Sequence, residues 1–166
     1  MDDAPASPAD PRANEWITLF EKNLSVLKRH ARGVHDAAAL VRVGDDGNHF
    51  GWLVGHVLVS RDGVLRALGE APLADEAEHD PYRRGAPLPR DEDAVPFGRL
   101  LATLEAQQPR LSRALGAADP DTLARPVGFA DHDVASWISF LAWHDTYHLG
   151  QAAVYRRAAG LEGVLG

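Results

Sequence analysis

Cysteine is absent from all 166 residues. Disulfides, thiolate nucleophiles and cysteine-held zinc are therefore excluded, and any metal must rest on His, Asp or Glu. Basic charge is also scarce. Lys and Arg number 17 against 24 Asp and Glu, a formal net charge of -7. An acidic surface repels phosphate, and no basic stripe with interleaved aromatics offsets it, so no nucleic-acid partner is expected. No run of about 18 apolar residues occurs, which argues against a membrane-spanning helix and a membrane partner. Met1 to Pro11 is acidic and proline-bearing and lacks the basic and apolar regions of a signal peptide. Lack of cysteine fits a reducing cytosol, and with neither a signal-peptide pattern nor an apolar span the expected location is cytoplasmic.

What the chain does have is an ordinary globular balance, 45% apolar and 25% charged residues. That length and composition suit one domain with a buried core. Residues 1–11, with Pro5, Pro8 and Pro11, read as a disordered tail, and residues 12–166 as the domain.

Apolar spacing then predicts four long helices. Ile17, Phe20, Leu24, Leu27, Ala31, Val34, Ala38 and Val41 recur in steps of three and four, giving one helix up to Gly44-Asp45-Asp46-Gly47. A second helix, about Phe50 to Leu68, is apolar nearly all round and has Asn48 as its candidate N-cap. It is too long for a strand despite its valines. The stretch from Glu70 to Asp93 holds four prolines and Arg83, Arg84 and Arg90, and a connection this long suits a cover over a site. A third helix starts near Val95–Pro96 and carries Phe97, Leu100, Leu104, Leu111 and Leu115, with Pro109 expected to kink or split it. After a second connection, Gly116 to Asp131, the fourth helix runs from about Val134 to Ala159, capped by Asp133. No strand alternation is long enough for a sheet. The predicted fold is all-α, a four-helix bundle with a long connection between helices 2 and 3.

Chemistry concentrates on three histidines. His144-Asp145-Thr146-Tyr147-His148 places two imidazoles four apart, on one face of a helix and on its apolar stripe. Such a pair can grip one metal ion, with zinc–nitrogen bonds of about 2.0–2.1 Å. Taken alone, the pair is more simply read as two hydrogen-bonded core histidines. His56 shifts the balance, because it stands alone among apolar residues of helix 2. A buried imidazole needs a partner, and convergence of His56, His144 and His148 on one ion supplies it for all three. The remaining histidines look ordinary: His30 and His35 on helix 1, His49 beside a cap, His79 and His132 in connections. His-Asp-x-x-His also resembles the His-Glu-x-x-His of zinc proteases, with Asp145 in the place of the general base. Asp145 is one methylene short of that Glu, so a surface or supporting carboxylate is the simpler reading. Gln151 is either a hydrogen-bond partner near the site or a helix-surface residue.

Two longer segments carry a resemblance. Asn48-His49-Phe50-Gly51-Trp52-Leu53-Val54-Gly55-His56 resembles the second-helix motif of the DinB-like superfamily, and Trp143-His144-Asp145-Thr146-Tyr147-His148-Leu149-Gly150-Gln151 resembles its fourth-helix motif. The resemblance implies a helical bundle, frequently a homodimer, holding a divalent metal, zinc or nickel, on His56, His144 and His148. It implies a metal-dependent enzyme acting on a small molecule, either a thiol-dependent S-transferase using a low-molecular-weight thiol such as bacillithiol or mycothiol, or an isomerase of the maleylpyruvate type. Water or a thiol would take the position the three histidines leave open. Arg83, Arg84 or Arg90 could hold an anionic group of the substrate, or simply be solvated charges of a loop. The alternative is a non-catalytic metal-binding bundle, stabilised by an ion that cross-links two helices.

Overall fold

The structure is a computed structural model that describes residues 10–45 and 47–164. The expected tail lies outside the described residues except at its end, where the Asp10 carboxylate accepts bonds from Arg12 and Pro11 is the N-cap of the first helix. Among the described residues the chain is helical: α1 (Arg12–Ala31), α2 (Asp36–Ala39), α3 (Phe50–Ala67), α4 (Glu76–His79), α5 (Phe97–Ala117), α6 (Pro120–Leu123) and α7 (Val134–Ala158). No helix among them is long and apolar enough to cross a membrane.

Four long helices make the core. α1 packs on α5 and α7, and α3 packs on the same two helices. α3 is the most enclosed. Leu53, Val54, Leu58, Val64 and Leu65 are fully buried on it, and burial continues round the helix through Phe50, Trp52 and Val57. Each such side chain contributes on the order of 1.5–3 kcal/mol by leaving water. The all-round apolar pattern of this segment is thus a consequence of having partners on several sides.

Three sequence expectations need correction. The first helix does not reach Val41 but ends at Ala31, where Gly33 takes φ +73° and turns the chain. That left-handed conformation suits glycine and ends a helix whatever apolar rhythm follows. His35 consequently is the N-cap of α2, its ring accepting from Ala38 N–H, and Val41 is exposed. The N-cap of α3 is His49, not Asn48: its Nδ1 accepts the Trp52 N–H at 3.0 Å. α5 is not split at Pro109: burial of Leu104, Gln107 and Gln108 before it and Leu111 and Leu115 after it holds both halves against their neighbours.

Asp133 caps α7 as expected, accepting from Ser136 N–H at 2.7 Å. The 70–96 connection is not a bare loop. It contains α4 and two single 3-10 turns, and is tied to α3 by Asp62, which accepts from Leu73 N–H at 3.1 Å.

Candidate metal centre

α3 and α7 are in contact, and His56 faces His144 and His148 across that contact. The Nε2 atoms of His56 and His144 are 3.2 Å apart, and those of His148 and His144 3.0 Å apart. Among the described residues these three side chains gather donor atoms within 4.8 Å of one another, as a metal ion requires. Three nitrogens on one ion at about 2.0–2.1 Å have mutual separations of roughly 2.9 Å in octahedral and 3.3–3.4 Å in tetrahedral coordination. The two observed spacings lie in that window.

The remaining ring nitrogens decide where the lone pairs point. His56 Nδ1 is 2.7 Å from the Tyr82 carbonyl oxygen. A carbonyl only accepts, so Nδ1 carries the proton and neutral His56 presents a bare Nε2. His148 Nδ1 donates in the same way to Gln151 Oε1 at 2.8 Å, so Gln151 is a partner of the site. His144 Nε2 thus stands between two bare nitrogens. It has at most one hydrogen to give, and its own Nδ1 is buried without a partner. Hydrogen bonds within the chain cannot satisfy this trio. A cation between the three nitrogens would satisfy it, so the donor set fits a divalent ion.

Burial favours the neutral, ligating form of each ring. It pushes the pKa of all three histidines down, for His144 to about 4, where the neighbouring His148 and His56 and then the Arg84 charge add to the effect. At His56 the Tyr82 hydrogen bond opposes burial without reversing it.

Local sequence explains how His56 is held. Its ring stacks on Trp52 one turn earlier, with centroids 4.6 Å apart and planes at 10°. Gly55 lets Tyr82 lie against the α3 backbone: a Cβ there would fall 2.3 to 2.8 Å from three Tyr82 ring atoms. The Tyr82 hydroxyl accepts the Val95 N–H at 3.0 Å. Tyr82 is therefore fixed at its hydroxyl and its ring while its carbonyl aims His56. Partners of this kind orient ligating imidazoles and set their tautomer.

The imidazoles line a cavity of about 610 Å³, within the size range of small-molecule sites. Trp52, Val59, Ser60 and Gly63 of α3 form one side, and Trp137, Phe140, Leu141 and Tyr147 of α7 the other. Phe129 reaches the cavity from a tight turn in which Ala130 and Asp131 both adopt positive φ, closed by His132 N–H to Phe129 O at 3.0 Å. The 70–96 connection contributes Arg83 and Arg84. Arg90 is not in the lining; it pairs with Glu92 and Asp93.

Asp145 plays neither part foreseen for it. It is buried and makes no hydrogen bond to the three histidines: its Oδ2 accepts from Arg61 Nε at 2.8 Å and its Oδ1 has no partner among the described residues. Arg61 also donates to Gln108 Oε1 at 2.7 Å and to the Phe20 carbonyl at 3.0 Å, and its guanidinium lies over the Phe20 ring. A carboxylate so engaged cannot serve as the base of a protease-like site. His79 and His132 do not join the trio, and His30 is buried elsewhere on α1. Sequence reasoning missed Gly55, Tyr82 and Arg61. A glycine costs about 1 kcal/mol inside a helix and a charge costs more in an apolar one; Gly55 and Arg61, both within α3, were visible anomalies.

The sequence profile of the DinB superfamily matches residues 19–152, and the chain belongs to that superfamily. No curated protein matches the chain.

Proposed function

We propose that the chain is a metal-dependent enzyme acting on a small molecule, with His56, His144 and His148 as the ligands of zinc or nickel. The observation that carries this reading is the convergence of three Nε2 atoms, unsatisfied by one another, on an open cavity. Three protein ligands with an accessible further position is the catalytic arrangement of zinc, whereas structural zinc is closed by four. When bound, such an ion supplies a Lewis acid that lowers the pKa of a thiol or water beside it.

The chain's own residues do the rest. Tyr82 and Gln151 hold two imidazoles in the ligating tautomer. Trp137, Phe140 and Phe129 keep water from one side of the cavity, and Arg84 leaves a positive charge at its lining. The reaction class we favour is transfer of a low-molecular-weight thiol: its sulfur bonds to an electrophilic carbon, the leaving group departs with its electron pair, and the thiol proton passes to solvent. An isomerase that uses the thiol transiently is the related possibility. We further read the α1, α3, α5 and α7 pairings as a four-helix bundle forming one domain over residues 12–166, working in the cytoplasm.

The test begins with elemental analysis of protein purified without a histidine tag, where one zinc or nickel per chain is expected. Metal-loaded protein is then assayed with bacillithiol, mycothiol and glutathione against alkylating electrophiles and maleylpyruvate. Stoichiometric metal with no turnover would favour the non-catalytic reading, in which the ion only cross-links α3 and α7. Absence of metal would end both.

A homodimer is part of the proposal. Trp143, Tyr147 and Val154 lie on one face of α7 and are each more than half exposed. A stripe of that kind on a free helix face suits burial against a second copy. Sedimentation should give a dimer that Trp143→Glu converts to monomer; a monomeric parent chain would reject it.

A further inference from the structure

The lining of the histidine cavity contradicts the charge of the chain that builds it. The protein has a net charge of -7, yet the cavity carries Arg66, Arg83 and Arg84 and no Asp or Glu. Two of these arginines are engaged. Arg66 donates to Glu76 at 2.7 Å and Arg83 to Asp80 at 2.7 Å, through carboxylates outside the lining. Arg84 joins no ion pair among the described residues. A cleft lined by one sign of charge with apolar walls focuses field and draws counter-charge into it.

The wall has a shape of its own. Phe129, Trp137 and Phe140 form a continuous run, with centroids 5.2 Å apart for Phe129–Trp137 and 5.4 Å for Trp137–Phe140. The Trp137 and Phe140 rings are stacked, with planes within 22° of each other, and ring faces and edges are what this wall offers. Flat apolar rings bind such faces by offset or edge contact.

We propose that this cavity takes an organic anion with a flat apolar body, its anionic group meeting Arg84 and its body lying on the Phe129–Trp137–Phe140 wall. The inference rests on the three-histidine cavity being the binding site, but not on the metal holding the anion. Arg84 sets the charge selectivity, and the aromatic run sets the preference for planarity.

The experiment is calorimetric titration at pH 8 of the full chain, metal-free and zinc-loaded, with 2-naphthoate, its neutral isostere 2-acetonaphthone, and acetate. In metal-free protein, naphthoate should bind at least tenfold more tightly than the ketone, and acetate far more weakly than either. Arg84→Gln, an exposed change, should bring naphthoate within about twofold of the ketone while the ketone's affinity holds. Phe140→Ala should weaken naphthoate and ketone together. Equal affinities in the parent chain would overturn the proposal. So would a naphthoate preference that appears only with zinc and survives Arg84→Gln, since the metal would then be the anion's partner. A preference lost in Arg84→Gln from protein that takes up no zinc would uphold the anion site and reject the metal reading.

Discussion

His144 and Asp145 are neighbours in sequence, and the two sides of α7 they face follow opposite rules. On the Asp145 side a buried charge meets a buried charge: Arg61 spends its donors on Asp145, Gln108 and a backbone carbonyl. On the His144 side three imidazoles meet with more lone pairs than hydrogens and open onto a cavity. Burial alone does not separate the two sets, since His56, His148 and Arg61 are all buried. The difference lies in whether the chain supplies a counter-charge: Arg61 meets Asp145, whereas no described residue stands between the three imidazole nitrogens. A buried ion pair closed by the chain's own opposite charge reads as structure, even with Asp145 Oδ1 left without a hydrogen-bond partner among the described residues. An unsatisfied convergent group reads as a place for something the chain does not supply.

Breaking the ion-paired side should cost most. Arg61→Met leaves the Asp145 carboxylate buried without its cation, and removing one member of a buried pair costs about 3–5 kcal/mol. Urea unfolding of metal-free protein should show that loss. The double change Arg61→Met with Asp145→Leu should recover most of it, because no uncompensated charge then remains. If Arg61→Met unfolded at the parent urea midpoint, the pair would not carry the weight assigned to it.

The histidine side should respond in the reverse manner. His144→Ala removes an unsatisfied ring, so metal-free stability should change by less than about 1 kcal/mol. With metal present the outcomes diverge. Zinc at a hundred times its dissociation constant should stabilise the parent chain by about 2.7 kcal/mol through binding only the folded state, and His144→Ala should lose nearly all of this. Equal melting shifts in parent and variant would show that the metal sits elsewhere.

The same contrast explains what could be read from sequence. The histidine trio was legible because two members repeat at helical spacing and the third is a lone polar residue in an apolar helix. The family match, residues 19–152, spans all three. The partners were not legible. Tyr82 lies 26 residues from His56 inside an irregular connection, and Arg61 lies 84 residues from Asp145. Helical periodicity ranks positions within one element and carries no information on contacts between elements. Nor does it register where a rhythm stops: the stripe through Val34, Ala38 and Val41 continues past Gly33, whose backbone has already ended α1. The shift of the α3 cap from Asn48 to His49 has a similar origin. An imidazole accepting through Nδ1 does the work of the usual oxygen acceptors, and cap preferences do not single it out.

The smallest effect tests the support of the open side, and two glycines of α3 separate support from helix propensity. Gly55→Ala and Gly63→Ala both place a methyl on the same helix, and in an unobstructed position that change gains up to about 1 kcal/mol. At Gly63 the nearest atom to a new Cβ is Leu141 Cδ1 at 3.9 Å, an ordinary contact, so stability should rise and zinc affinity should hold. At Gly55 the methyl meets the Tyr82 ring near its stem. The ring cannot swing aside freely, because its hydroxyl is bonded to Val95 N–H and its carbonyl to His56. Overpacking of this kind costs about 1–3 kcal/mol. More tellingly, a displaced Tyr82 carbonyl frees His56 Nδ1, and loss of such an orienting bond weakens metal binding by about 10- to 100-fold. Competitive zinc titration of the two variants, side by side, checks this. Equal zinc affinities for both would mean that His56 finds its orientation without Tyr82, from the Trp52 stack alone.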